Sequence, residues 1–249
     1  MKLIVAGATG FVGSEVIRLS LERPDITSVI ALSRTPISLL QLSKDGADVS
    51  KLENVIVKDY RDYPDSVRKA FAGANACIWT IAVTPARTGG VSFEEIKQVC
   101  QDYPLIGLRT MRDSGVNRPF RFIYLSGSAA PRDSTKPPPF LSEYLVMRGE
   151  TENRLLAIAS ESKGALEVCA AKPGWITDTT FTRRSIMAFV MRLAVSMPSV
   201  SVAECSAAML DQIVHGFDTE PLLNEAMVTI GRRVLSASTR TRTVDLTKD

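Results

Sequence analysis

Three glycines near the start of the chain have the spacing of a nucleotide-binding loop. Gly7, Gly10 and Gly13 follow a short apolar run and precede a segment with helical periodicity, which is the context that such a loop requires. The first glycine permits a tight turn, the second lets the backbone approach a pyrophosphate, and the third lets helix and strand pack closely. The N–H groups and the positive dipole end of the following helix would then bind the anion. The predicted cradle also contains Thr9, Phe11 and Val12.

The end of the second predicted strand carries a hydroxyl and a guanidinium. Ser33 and Arg34 stand there, and the next carboxylate along the chain is Asp45. An acidic residue at this position binds the ribose 2′-hydroxyl of NAD, whereas Arg binds a phosphate through a charge-assisted fork. The sequence therefore predicts NADP(H) as the cofactor, with Ser33 and Arg34 at its 2′-phosphate.

Residues that follow the third and fourth predicted strands complete the expected cofactor site. Asp59 follows the third strand, where its carboxylate is placed to accept a hydrogen bond from the adenine amino group, and Tyr60 is adjacent. The fourth strand ends in Thr80, Ile81 and Ala82. Small side chains at this point would let a nicotinamide ribose lie close to the backbone.

These residues must be positioned by buried strands that alternate with helices. Apolar runs predict strands at residues 2–6, 28–32, 54–58, 76–83, 120–125 and 166–171. Helical periodicity predicts helices at residues 11–23, 65–71, 93–113 and 141–161. Wholly apolar strands that alternate with helices indicate a parallel sheet covered on both faces. The predicted fold class is therefore α/β, a doubly wound parallel sheet of the Rossmann type.

The rest of the chain is expected to belong to the same domain. Residues 1–231 are interpreted as one NAD(P)-binding domain, within which a small C-terminal substrate lobe begins at about residue 175. The predicted elements of the lobe are two helices and a short strand, at about 184–195, 202–217 and 226–230. The Ser-, Thr- and Arg-rich stretch 232–249 is predicted to be a flexible tail.

Composition argues against several other classes of protein. The 249 residues include 30 Lys+Arg and 27 Asp+Glu, so the formal net charge of +3 is too small to indicate a nucleic-acid or membrane binder. No run approaches the roughly 18 apolar residues of a membrane helix, and the start does not have the pattern of a secretory signal. The four cysteines lack metal-ligand spacing, so we expect reduced thiols, no metal site and a cytoplasmic protein. His215, the single histidine, is interpreted as a cation at a helix end.

Two further motifs give the chain a family resemblance. The run from Tyr144 to Glu152, YLVMRGETE, is similar to the Y-L-x-x-K-G-E-x-E signature of the atypical short-chain dehydrogenase/reductases related to the Tat-interacting protein. Lys172 begins a Lys-Pro-Gly run that resembles the R-P-G of the same group, and the glycine loop resembles that of extended and atypical members. The resemblance runs from about residue 1 to residue 231. It implies a Rossmann fold, NADP(H) binding and a Ser–Tyr–Lys catalytic set.

The chain departs from this family where the catalytic lysine is expected, because Arg148 stands at that position. The resemblance implies that Tyr144 donates or takes the proton at the substrate oxygen, while the cation holds the nicotinamide ribose and lowers the tyrosine pKa. Tyr144 and Arg148 are four residues apart and so share a helix face. Arg148 supplies the cation, but it is bulkier than lysine and never neutral, so it cannot join a proton relay. Glu150 and Glu152 on the same helix are interpreted as solvated or paired charges.

Other candidate residues follow the fifth and sixth strands. Of the two serines after the fifth strand, Ser128 is favoured by position as the hydroxyl that hydrogen-bonds a substrate carbonyl, and Ser126 is assigned to the cofactor. Pro173 and Gly174 are also assigned to the cofactor. Trp175, directly after them, is either a stacking wall for the substrate or a core aromatic residue.

Taken together, these expectations favour an NADPH-dependent oxidoreductase that reduces a carbonyl, or oxidises an alcohol, of a small organic compound. Natural products are among the expected substrates, and the expected role is biosynthetic. A non-redox isomerase, cyclase or dehydratase on the same scaffold stays open, as does an NADP(H)-sensing binding protein, because Arg148 replaces the lysine. The expected partner is a small-molecule substrate, with no nucleic acid and no membrane. A homodimer is left open.

Overall fold

The computed structural model describes residues 1–38, 47–84, 90–178 and 198–246, with side chains up to residue 238. Its strands are β1 Lys2–Ala6, β2 Ser28–Ser33, β3 Leu52–Ile56, β4 Ala76–Trp79, β5 Phe120–Leu125, β6 Leu166–Lys172, β7 Trp175–Thr177, β8 Ser199–Ser201 and β9 Leu222–Leu223. Its helices are α1 Phe11–Glu22, α2 Asp65–Phe71, α3 Phe93–Lys97, α4 Tyr103–Asp113, α5 Ser142–Glu161, α6 Val202–His215 and α7 Asn224–Leu246. A π-helical turn, Gln98–Asp102, joins α3 to α4.

Seven parallel strands form the main sheet, in the order β3-β2-β1-β4-β5-β6-β9. Strand β1 pairs with β2 on one side and with β4 on the other, so the strand order reverses between β1 and β4. Leu3, Ile4 and Val5 of β1 are fully buried, as expected of a strand covered on both faces. Sheets of this kind bind ligands outside the carboxyl ends of the strands, at such a reversal. The sheet and its helices confirm the predicted doubly wound Rossmann fold.

Helices cover both faces of the sheet. Helices α1, α6 and α7 share one apolar cluster with the strands, which contains Val16 and Met227. Helices α2, α4 and α5 share a second cluster on the other face, which contains Phe71, Leu108 and Leu155. Among the described residues, no helix is both long and apolar enough to cross a membrane.

The strand predicted near residues 226–230 is wrong, because these residues lie in helix α7. The edge strand is β9 instead, and its Leu222 and Leu223 pair with the end of β6. A run of five residues with four apolar positions fits either a short strand or part of a helix. Packing decides for the helix here, since Met227 is fully buried and its Sδ lies 3.8 Å from the Sγ of Cys205 on α6.

Helix α7 continues into the segment for which the sequence predicted a flexible tail. The backbone is helical up to Leu246, and two ion pairs bind the first turn of that segment to α6. Arg232 Nε lies 2.7 Å from Glu204 Oε1, and Arg233 Nη2 lies 3.0 Å from Asp211 Oδ2. The backbone of this segment is therefore helical up to Leu246, and its flexibility stays a prediction.

The predicted substrate lobe is described only in part. Strands β7 and β8 form a separate two-stranded parallel sheet, and α6 ends at His215, two residues earlier than predicted. The helix predicted at 184–195 lies outside the described residues. The lobe itself stays a prediction.

Candidate active site

The glycine loop forms a tight turn between β1 and α1. Gly7 has a φ of 86°, in the region that favours glycine, and the N–H of Gly10 donates to the Gly7 carbonyl oxygen at 2.8 Å. A Cβ on Gly13 would overlap that same carbonyl oxygen, so this glycine is required for close packing. Gly10 is the N-cap of α1, has no side-chain cap, and is followed by a first turn without an acidic residue. These residues fit a dinucleotide pyrophosphate.

Thr80 ties the end of β4 to this loop. Its hydroxyl donates to the Ala6 carbonyl oxygen at 2.8 Å, and a Cβ on Gly7 would lie 2.6 Å from the Thr80 Oγ1. Strand β4 ends at Trp79 and not at Val83 as predicted, and the side chain of Thr80 continues the connection to β1. The hydroxyl therefore holds the end of β4 against the glycine loop, and the role of Thr80 at a cofactor stays a prediction.

At the predicted 2′-phosphate position, the structure separates the two candidate residues. Ser33 is buried, and its hydroxyl donates to the Thr35 carbonyl oxygen at 2.5 Å. Its one proton is therefore used inside the loop. Arg34 is exposed, and within the described part of the chain no carboxylate lies at ion-pair distance from it. Of these two side chains, the guanidinium is therefore the better candidate for a phosphate contact, and the 2′-phosphate assignment stays a prediction.

The predicted adenine-side residues are placed differently from each other. Asp59 is half-buried and pairs with Arg61 across 2.6 Å, and the hydrogen bonds from Arg61 hold the pKa of this carboxyl below its usual value. Tyr60 is buried, and its ring centroid lies 5.9 Å from that of Trp79 in an edge-on contact. Burial raises the pKa of Tyr60 to about 12. Tyr60 thus belongs to the core through its side chain and could meet a cofactor only through its backbone.

Tyr144 lies on the first turns of α5, where it borders the end of β4. Its ring packs in a small apolar cluster with Cys100 and with Ala82 and Val83, which follow β4. Burial raises the pKa of Tyr144, and the positive charge of Arg148 partly opposes this shift. The phenol is therefore protonated at neutral pH.

Arg148 is buried beneath this tyrosine, with only 3% of its surface exposed. Its Nη2 donates to the Leu125 carbonyl oxygen at the end of β5, and its guanidinium carbon lies 4.7 Å from the ring centroid of Tyr124. Its Nη1 is buried without a hydrogen-bond partner among the described residues. None of the hydrogen bonds described for Arg148 joins it to Tyr144, so its effect on the phenol is electrostatic.

The two candidate serines have different hydrogen-bonding roles. The Ser126 hydroxyl donates to Glu152 Oε1 at 2.5 Å, so its proton is not available to a substrate carbonyl. Ser128 is exposed, and its backbone N–H donates to the Pro173 carbonyl oxygen at 2.8 Å. The structure thus brings the loop of Ser128 against the turn that follows β6, and it leaves Ser128 as the serine whose hydroxyl faces solvent.

Gly174 and Trp175 begin the second sheet. A Cβ on Gly174 would overlap the Pro198 carbonyl oxygen, and the Trp175 N–H donates to that oxygen at 2.9 Å. The indole Nε1 is buried without a hydrogen-bond partner within the described ranges. Both interpretations of Trp175, as a substrate wall and as a core residue, remain predictions.

Sequence reasoning missed a buried ionic cluster beside these loops. Glu152 is fully buried, and its carboxylate accepts from Lys172 Nζ at 2.7 Å and from Arg132 Nε at 2.8 Å. Glu150 on the same helix is exposed. The available signal was the motif itself, since Glu152 ends the YLVMRGETE run and Lys172 begins the Lys-Pro-Gly run.

The fold, the strand reversal and the glycine loop define a dinucleotide-binding Rossmann domain. The chain matches the NAD(P)H-binding family over residues 7–214, and it belongs to that family. The closer resemblance to the subgroup related to the Tat-interacting protein stays a prediction.

Similar proteins include both characterised enzymes and a mitochondrial protein. A dTDP-glucose 4,6-dehydratase from Streptomyces venezuelae, a double mutant with NAD bound, has a TM-score of 0.67 at 19% identity, and the match covers 90% of this chain and 75% of that one. Vestitone reductase from alfalfa has a TM-score of 0.63 at 20% identity, over 88% of this chain and 74% of that one. Protein FMP52, mitochondrial, from Debaryomyces hansenii is 24% identical over 158 residues, which is 64% of this chain and 61% of that protein's length.

Proposed function

We propose that the protein is an NADPH-dependent reductase that transfers a hydride to the carbonyl group of a small organic substrate. The observation that carries this proposal is Tyr144, a half-buried phenol that stays protonated next to the residues following β4. Reduction of a carbonyl needs a proton donor at the oxygen, and a protonated tyrosine is such a donor. Membership of the NAD(P)H-binding family supplies the cofactor class.

Each candidate residue at this edge of the sheet would have a separate role. The glycine loop would bind the pyrophosphate, and Arg34 would bind a 2′-phosphate, which favours NADP(H) over NAD(H). When bound, NADPH supplies the hydride that adds to the carbonyl carbon. Tyr144 would transfer its proton to the carbonyl oxygen, and Ser128 would hydrogen-bond that oxygen beforehand. Arg148 would limit the rise in the Tyr144 pKa through its charge.

A second candidate function is an NADP(H)-binding protein that uses its pocket without hydride transfer. The position of Arg148 supports this candidate, since its guanidinium is bound to the end of β5 and buried away from a ribose. In that arrangement the family's cation would be absent from the cofactor surface.

One experiment separates the two candidates. The binding of NADPH to the purified protein is titrated by fluorescence, and NADPH consumption is followed by absorbance with a panel of ketones and aldehydes. Binding together with turnover of one carbonyl class supports the reductase. Tight binding without turnover of any member of the panel supports the second candidate, and absence of NADPH binding contradicts both.

A further inference from the structure

The ionic cluster around Glu152 is the part of the molecule that the proposed function does not use. Lys172 Nζ donates to both carboxylate oxygens of Glu152, at 2.7 and 2.9 Å, and to the Ala130 carbonyl oxygen at 2.6 Å. Arg132 bridges Glu152 to Glu220, with Nη2 lying 2.5 Å from Glu220 Oε1. Two carboxylates and two cations thus balance within one connected set.

Glu152 joins three segments that are far apart in the chain, and Arg132 connects them to Glu220 in a fourth segment, just before β9. Glu152 belongs to α5, Lys172 is the last residue of β6, and Arg132 belongs to the loop after β5. Tight packing reinforces the contact, since a Cβ on Gly149 would overlap the Pro131 carbonyl oxygen. The segments cannot separate without exposing or unpairing a fully buried carboxylate.

Stability alone is a weak reason for such a cluster. The cost of removing two charges from water often cancels their attraction, so a buried ion pair can be replaced by apolar residues with little loss of stability. A hydrogen-bonded ion pair is directional, whereas apolar packing is not, because the hydrogen bonds hold the two side chains at a defined distance and angle. Glu152 also accepts the proton of Ser126, which turns the oxygen lone pairs of that hydroxyl away from the carboxylate.

The three segments lie at the carboxyl ends of β5 and β6. The β4–β6 half of a doubly wound sheet takes the second nucleotide of a dinucleotide, and the β1–β3 half takes the first. The glycine loop and Arg34 belong to the first half, so the nicotinamide end of the cofactor falls to the second half. The cluster is therefore on the side where hydride transfer would occur.

We propose that Glu152 is a positioning residue which, through Lys172 and Arg132, holds the walls around the nicotinamide end of the cofactor. This inference rests on the proposed binding of NADP(H), but not on turnover. It requires that loss of the Glu152 charge alter the nicotinamide end of the site and leave the adenine end unchanged.

The test compares two ligands in the variant Glu152→Gln. NADPH occupies both halves of the site, whereas 2′,5′-ADP carries only the adenosine and 2′-phosphate part. We expect the affinity for NADPH to fall at least about tenfold, since misplaced contacts weaken binding and reaction steeply, and the affinity for 2′,5′-ADP to stay unchanged. The fluorescence change of the reduced nicotinamide on binding should also diminish.

Glu167→Gln is the matched control. Glu167 on β6 pairs with Arg121 on β5 across 2.9 Å, so the same substitution breaks an ion pair at the amino ends of β5 and β6, at the opposite edge of the sheet from the Glu152 cluster. We expect this variant to bind both ligands as the wild type does. Lys172→Arg, which keeps the cation, should retain NADPH affinity, and Lys172→Met should lose it as Glu152→Gln does.

Folding is checked by circular dichroism before each titration. If Glu152→Gln does not fold, Arg132→Gln takes its place, because Arg132 is only partly buried, and the same selective loss of NADPH affinity is expected. Equal losses for both ligands, or no loss for either, would overturn the inference while wild-type NADPH binding still supports the proposed function. A wild type that binds neither ligand would overturn both.

Discussion

The two halves of the candidate site differ in whether backbone or side chains form them. On the β1–β3 side the site is mostly backbone, with three glycines within seven residues and a turn held by the Gly7 carbonyl oxygen. On the β4–β6 side it consists of long side chains, with a buried carboxylate that joins α5, β6 and the loop after β5. A backbone site is encoded locally, whereas a side-chain site depends on segments that meet only after folding.

The halves also differ in what a substitution would disturb. A new side chain in the glycine loop acts by filling space, either space for a ligand or space already occupied by backbone. A substitution in the other half acts by unpairing a charge or removing a proton donor. Each prediction below tests this difference, and they run from the largest expected effect to the smallest.

Gly10→Val should abolish nucleotide binding without unfolding the protein. Gly10 has a φ of −79°, which any residue can adopt, and a valine side chain would occupy the space a pyrophosphate needs.

Gly13→Ala should instead lower the free energy of unfolding, by on the order of 1–3 kcal/mol for an overpacked position, because its Cβ would overlap the Gly7 carbonyl oxygen. Cofactor titration and thermal melting by circular dichroism distinguish the two. Unchanged affinity in Gly10→Val would refute the cradle.

Tyr144→Phe should reduce turnover by at least about a hundredfold, since general acid catalysis contributes roughly 10² to 10⁴. NADPH affinity should change little. Because burial raises the pKa of Tyr144 above its ordinary value, near ~10, the phenol keeps its proton through neutral and mildly alkaline pH. The rate of reduction should therefore be level across that range and fall only at higher pH, while the reverse oxidation should rise with pH. A reduction rate that already falls near neutral pH would show that another group donates the proton.

Substitutions of Arg148 test whether the nicotinamide half of the site needs any positive charge or specifically a guanidinium. Arg148→Lys keeps the charge and should retain or raise activity, whereas Arg148→Ala should lower the rate of reduction, because the positive charge that opposes the rise of the Tyr144 pKa on burial would be lost. Steady-state kinetics with NADPH, together with melting curves for both variants, provide the measurement. Loss of activity in Arg148→Lys would assign the guanidinium a role of its own and favour the non-redox alternative.

Arg34→Ala should weaken NADPH far more than NADH, by about 1–3 kcal/mol for a lost charge-assisted contact. Arg61→Ala is the matched control, because it removes the same side chain from a neighbouring loop, where it pairs with Asp59. We expect the control to affect the two cofactors equally and slightly. Equal losses of both cofactors in Arg34→Ala would contradict the 2′-phosphate assignment.

Prediction from the sequence succeeded where structure is local. The alternation of apolar runs and helical periodicity was enough for the doubly wound sheet, and the spacing of Gly7, Gly10 and Gly13 was enough for the turn between β1 and α1. It failed at residues 226–230, where a five-residue apolar run fits a strand or a helix equally well. Contact of Met227 with α6 resolved that ambiguity.

The sequence by itself therefore determined the fold class and the glycine turn between β1 and α1, because both depend on neighbouring residues and on periodicity. Only the tertiary structure decided that the Ser33 hydroxyl donates within its own loop and that Arg148 donates to the end of β5. It also decided that Glu152 is buried and paired with Lys172. The physical reason is that a polar side chain has many possible partners along the chain. Which of them it meets, and whether water still reaches it, depends on the packing of segments that are distant in sequence.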